Sequence, residues 1–190
     1  WVLHRVAELD AEVRAGYARY DFQGVFQKLF TFATTDLSAV YFDIRKDALY
    51  CDAPSSARRR AARTVLDILF HRLTTWLAPV LVFTMEEVWL CRFPGDESSV
   101  HLVDMPETPA GWLNHALAAK WNDIRTVRRV VTGALEKLRA YKIIGSSLEA
   151  CPMIYLDAAS RVPLEKTGVL PFQASAMADY CIVSDINLCF

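Results

Sequence analysis

Glycine and proline are scarce, with 7 and 8 residues in a chain of 190. Collagen-like, low-complexity and disordered chains are thereby excluded, since 53% of the residues are apolar, enough to bury a sizeable core. Long apolar runs are also missing. The longest, Trp76 to Phe83, has eight residues, far below the roughly 18 that a membrane-spanning helix needs. Cysteine offers little chemistry: Cys51, Cys91, Cys151, Cys181 and Cys189 are scattered, without a CxxC pair or a His at ligand spacing. Free thiols in a reducing, cytoplasmic compartment are expected, and no metal site. No charged segment, apolar run and small-residue cleavage site opens the chain, whose first residue is Trp1. A piece of a longer cytosolic protein, with no membrane partner, is the expectation.

Catalytic signatures are absent as well: there is no glycine-rich phosphate loop, no HExxH, no GxSxG and no GxGxxG. His4, His71, His101 and His115 lie far apart, and the adjacent Glu86 and Glu87 face different ways on a helix. No catalytic residue and no metal ligand is assigned.

Helical periodicity dominates what is present. Val2, Val6, Leu9 and Val13 recur at steps of three and four, and Asp21 is placed to cap a second helix running from Phe22 to about Ile44. Thr34, Thr35 and Asp36 mark a point where a new cap could interrupt it. Residues 46–56 read as a connection. Ser55 or Ser56 starts a third helix, with Val65, Leu69, Leu73 and Trp76 on one face, ending before Pro79; a fourth follows Thr84 and stops near Pro94. Residues 94–111 hold three prolines and two glycines without periodicity, a long surface connection. The longest helix carries Trp121, Ile124, Val127, Val131, Leu135, Leu138 and Tyr141, with Gly145 as its expected stop. Two strands are predicted after it, in residues 151–158 and 179–186, around a turn-rich stretch at 163–171. The expected fold is mainly α: an antiparallel helical bundle over 1–145, then a small α/β appendage over 146–190.

The near-zero sum, 21 basic against 22 acidic side chains, conceals segregation. Residues 54–77 carry five Arg and one Asp, residues 121–142 six basic and two acidic side chains, and residues 84–110 six acids and one Arg. Arg58, Arg59 and Arg60 stand in the first turn of the third helix, where the dipole disfavours cations by roughly 0.3–1 kcal/mol each. Two readings account for them. A phosphate backbone could cross that helix start, or the arginines could pair with the acidic 84–110 segment. On the long helix, Arg125, Arg128, Arg129 and Arg139 share an arc that a solvated face explains equally well. Trp76, Trp89, Trp112 and Trp121 read as packing residues rather than base-stacking platforms.

Several strings then form a set: Tyr20-Asp21-Phe22-Gln23; Tyr41-Phe42-Asp43-Ile44-Arg45-Lys46-Asp47 with Leu49-Tyr50; Ala78-Pro79-Val80-Leu81, Phe83-Thr84 and Glu86-Glu87-Val88-Trp89; and Lys142-Ile143-Ile144-Gly145-Ser146-Ser147-Leu148-Glu149-Ala150. Together they resemble the C-terminal anticodon-binding region of bacterial isoleucyl-tRNA synthetases, over about residues 1–157. The third string is shared with the synthetases for valine and leucine, which stay open as an alternative. A helical scaffold for another protein is the other. The resemblance implies a domain that binds the anticodon stem-loop of tRNA(Ile), a single-stranded target of the kind RNA readers use. It implies a parent enzyme that ligates isoleucine to tRNA(Ile) with ATP and Mg, whose catalytic and editing domains lie elsewhere in the parent chain and act as the partners of this piece. A C-terminal zinc, also elsewhere, is implied too; no cofactor is expected in residues 1–190. Lys46 is the first choice for an anticodon contact, with Arg45 beside it, and Arg58, Arg59, Arg60 and Arg63 are expected on the phosphates. One concave basic face joining Lys46 to Arg58–Arg63 favours RNA; pairing of these residues with Glu86, Glu87 and Asp96 favours the scaffold. Residues 158–178 fit the resemblance poorly.

Overall fold

The computed structural model describes residues 1–171 and 173–189, apart from the side chain of Leu188. The molecule is mainly α, as its periodicity predicts, and divides into two compact units, Val2–Leu113 and Asn114–Phe190, the latter with Trp1.

In the first unit α1 (Val2–Ala18) buries Val6, Leu9 and Val13, the stripe seen in the sequence. Helix α2 (Phe22–Thr31) begins at Asp21, whose carboxylate accepts the Gly24 N–H at 2.9 Å. The two cross where Gly16 faces Val25: a Cβ at position 16 would run into the Val25 side chain. The expected interruption at Thr34–Asp36 does not occur. The Thr34 and Thr35 hydroxyls donate back to the Phe30 and Thr31 carbonyls, which leaves no hydroxyl to cap a new start. The chain widens instead into a π-helical segment, Phe32–Phe42, and re-forms as α3 (Asp43–Tyr50). Asp36, buried in the widened turn, receives Arg5 Nε at 3.2 Å. Because α3 runs on to Tyr50, Arg45 and Lys46 lie within a helix and not in the connection expected from residue 46 onward.

Ser56 caps α4 (Ala57–Leu77) as predicted, its Oγ accepting the Arg59 N–H at 3.4 Å. Helix α5 (Val82–Arg92) starts two residues before Thr84, the expected cap, and its Met85 and Trp89 pack with Ala78 and Val100. The connection beyond it is pinned by guanidinium groups. Arg14 donates to the Met105 and Pro106 carbonyls at 3.2 and 2.8 Å, and the buried Arg72 donates to the Glu107 carbonyl at 2.7 Å while lying 4.8 Å over the Trp112 ring.

The second unit is built on α6 (His115–Ala140), capped by Asn114, whose side chain accepts the Leu117 N–H. Its Ile124, Val127, Val131 and Leu135 share a core with Leu164, Met177 and Ile186. The long helix therefore belongs with the residues after it, whereas the division at 145 expected from the sequence places it in the bundle. Gly145 is not its stop. Lys142, at φ 57°, takes the left-handed position; its N–H reaches the Arg139 carbonyl and the Ile143 N–H the Leu138 carbonyl, both at 2.9 Å. Tyr20 and Ile182 close α1 and the later helix Ala174–Cys181 in the same way, at φ 59° and 56°.

Strand β1 (Met153–Tyr155) falls where predicted and pairs in parallel with β2 (Asn187–Cys189), Met153 opposite Asn187. Residues 179–186 are not the second strand: helix α8 (Ala174–Cys181) occupies the first of them, and left-handed Ile182 turns the chain before β2. The stretch read as turns, 163–171, begins inside α7 (Ala158–Lys166), which holds Pro163 and is capped by Asp157, whose side chain accepts the Ser160 N–H at 2.8 Å.

Candidate functional site

The short connection from α3 to α4 organises the predicted basic residues around one acid. Asp52 accepts Arg58 Nε and Nη2 at 2.9 and 2.7 Å, a bidentate fork, and the Ser56 hydroxyl at 3.0 Å. The Arg58 hydrogen bond, with that of Ser56, lowers its carboxyl to about 2. Arg59 Nη1 donates to the Asp52 carbonyl at 2.7 Å. Arg58 and Arg59 are thus turned back on the connection. Periodicity alone does not reveal Asp52, although an Asp four residues before a Ser cap is a visible cue.

Arg60 and Arg63 point elsewhere. Both are exposed, form no ion pair among the described residues, and line an open groove of about 640 Å³ with Thr64, Leu66, Asp67, Phe70 and Arg92. Arg63, Asp67 and Phe70 recur at helical spacing along α4, which puts them on one face. Arg92 reaches in from α5, paired with Asp67 and lying 4.8 Å over the Phe70 ring. The one acid of the groove is therefore already paired, and three guanidinium groups share the lining with an aromatic side chain, Arg92 lying over its ring. Arg92 and Phe70 were missed in the sequence; Arg92 was legible only as the single cation in an acidic stretch, and Phe70 as one more apolar residue of a ladder.

Arg45 and Lys46 do not line this groove. Lys46 is exposed and donates to Asp43 at 2.8 Å, which raises its pKa. The Arg45 guanidinium stands 6.0 Å from the Tyr41 ring centroid, and burial raises the Tyr41 phenol. One concave face joining Lys46 to all four arginines is not formed. Among the described residues Arg60 and Arg63 form no ion pair with the acidic segment, and Glu86 accepts the Ser99 hydroxyl and the Val100 N–H, both at 3.0 Å. On α6, Arg125 lies 4.9 Å over Trp1 and Arg128 donates to the Tyr180 carbonyl at 2.7 Å, so these cations pack within their own unit. Trp76 and Trp89 are buried, and Trp121 stacks on Trp1 at 5.5 Å.

Among the described residues no group of three His, Cys, Asp or Glu could hold a metal ion, and no helix is long and apolar enough to cross a membrane. The groove offers positive charge, hydrogen-bond donors and an aromatic ring, a combination suited to phosphodiesters and bases.

Comparison with known proteins agrees with that chemistry. Residues 1–154 match the family described as the anticodon-binding domain of tRNA ligase. The chain is 60% identical to the isoleucine–tRNA ligase of Ruegeria pomeroyi over 99% of its length, and 59% and 53% identical to those of Agrobacterium fabrum and Mesorhizobium japonicum over 98% and 97%. It spans 18–19% of the length of these relatives. The match over 1–154 places the chain in the family of anticodon-binding domains of tRNA ligases.

Proposed function

We propose that this chain is the tRNA-recognising part of an isoleucine–tRNA ligase, and that the groove of Arg60, Arg63 and Arg92 grips phosphates of the tRNA(Ile) anticodon arm. The observation that carries the reading is the pair of exposed guanidinium groups, Arg60 and Arg63, without ion-pair partners among the described residues in a groove shared with Phe70. Arg45 and Lys46, with Asp43, Asp47 and the exposed Tyr50 on the same helix, supply the mixed donors, acceptors and ring that base-edge reading needs. Arg58 and Arg59 take a supporting part: by clamping the connection through Asp52 they fix where α4 begins. In the parent protein, working in the cytoplasm, this piece would supply selection only. Isoleucine activation with ATP and Mg, editing, and a zinc site belong to other parts of the parent. Binding energy gathered at the anticodon would position the distant acceptor end for transfer.

The test is a titration of the chain with the anticodon stem-loop of an isoleucine tRNA, beside a valine stem-loop, at two salt concentrations. Tighter, salt-weakened binding of the isoleucine loop is expected. Arg60→Ala and Arg63→Ala should weaken both loops alike, each lowering the slope of log K against log salt by about 0.7–0.9. Lys46→Ala should erode the preference for the isoleucine loop. Equal affinity for both loops would move specificity outside this chain, and no binding at low salt would overturn the reading.

A further inference from the structure

The turn that ends α6 exposes several large apolar side chains in sequence. Tyr141, Ile143 and Leu148 are 77%, 66% and 59% exposed within eight residues. Such a cluster of large apolar side chains is costly to leave in water. Looseness does not explain it, because the turn is tied down by its own hydrogen bonds. Arg139 Nη2 donates to Ser147 Oγ at 2.6 Å, the Gly145 N–H to Glu149 Oε2 at 3.0 Å, and the Leu148 N–H to Ser146 Oγ at 3.2 Å.

Its charges are sorted as well. Of the two acids, Glu136 is paired with Arg139 and Glu149 accepts the Gly145 amide and keeps its charge, so the turn remains net positive. Lys137 and Lys142 are exposed and form no ion pair among the described residues. Lys137 and Tyr141 stand four residues apart at the end of α6, on one face. An exposed aromatic side chain on this turn, with a lysine four residues before it and another directly after it, is complementary to a nucleotide, whose base stacks while its flanking phosphates meet the cations. A protein partner would meet the apolar side chains equally well, but it would leave the sorting of charge without a purpose.

We infer that the Lys137–Leu148 turn is a second RNA contact, in which the Tyr141 ring stacks on an unpaired base and Lys137 and Lys142 hold the adjoining phosphates. This inference rests on the reading of the chain as a tRNA binder and adds a site in the second unit, separate from the arginine groove.

Lys142 makes the test clean. Its left-handed backbone is the position glycine fills best at a helix end, so Lys142→Gly removes the charge without harming the turn. Binding of intact isoleucine tRNA to the full chain would be measured for Lys142→Gly, Tyr141→Ala, Tyr141→Phe and, as a reference, Arg63→Ala. Lys142→Gly is expected to keep or raise the Tm while lowering the salt slope by about 0.7–0.9. Tyr141→Ala should weaken binding roughly fivefold or more, as loss of a stacked base does, and Tyr141→Phe should not. Unchanged binding in Lys142→Gly and Tyr141→Ala, with Arg63→Ala still weakened, would overturn this contact, leave the groove standing and make the turn a surface for protein. Absence of binding by the unmodified chain would overturn both.

Discussion

Asp52 holds three donors of its own neighbourhood while sitting at the surface, so its protonation is tied to the geometry of the α3–α4 connection. Its carboxyl in the folded chain lies at about 2 against an ordinary 3.8. A folded-state value below the unfolded one means that the clamp contributes in full above about 3.8 and is lost as pH falls through about 2. Carboxyl-resolved NMR titration should find that low midpoint for Asp52, and Arg58→Ala should return it toward 3.8. A midpoint already ordinary in the unmodified chain would remove the clamp. Sequence reasoning sees three consecutive arginines here and assigns them one role. In the structure they divide by position on the turn: Arg58 and Arg59 reach back to Asp52, while Arg60 faces the groove. Charge counted along the chain cannot show that division, because it depends on which way each side chain leaves the helix.

At the scale of elements, the α1–α2 crossing depends on the missing side chain at position 16. Gly16→Ala is expected to cost about 1–3 kcal/mol by overpacking against Val25. In chemical denaturation the double variant Gly16→Ala/Val25→Ala should lose less than the sum of the two single ones, the signature of a direct clash. Helices with an amphipathic stripe and a capping side chain were legible before any coordinates: α1, α2 and α4 start where Val2, Asp21 and Ser56 predict. What was not legible follows from local competition. Threonine hydroxyls that suit a cap bonded backward instead, and the helix ran on as a π segment. Helix ends closed by Tyr20, Lys142 and Ile182 carry no glycine to announce them, which is why Gly145 was mistaken for a stop. Helix α7 holds a proline and α8 spans only eight residues, so neither shows a readable period.

For the whole molecule, the division after Leu113 rests on two separate sets of buried residues, Val6 to Trp76 in the first unit and Ile124 to Ile186 in the second. A polypeptide of residues 2–113 holds the first set complete. It is expected to unfold cooperatively on its own, followed by circular dichroism at 222 nm; a gradual, non-sigmoidal loss of signal would show that it needs the second. The family was legible from short strings of particular residues, two of which, Tyr20–Gln23 and Lys142–Ala150, sit at helix ends and turns, where identity matters more than hydropathy. The groove was half legible: Arg60 and Arg63 were visible, while Arg92 and Phe70 join them only through folding.

The connection from α5 to α6 shows how a path can be encoded away from itself. Arg14 and Arg72 grip it by the main-chain oxygens of residues 105–107, atoms that every amino acid carries. The route of this segment is therefore written in two arginines on other helices, and the residues along it are free to drift in identity while the track they follow stays where it is.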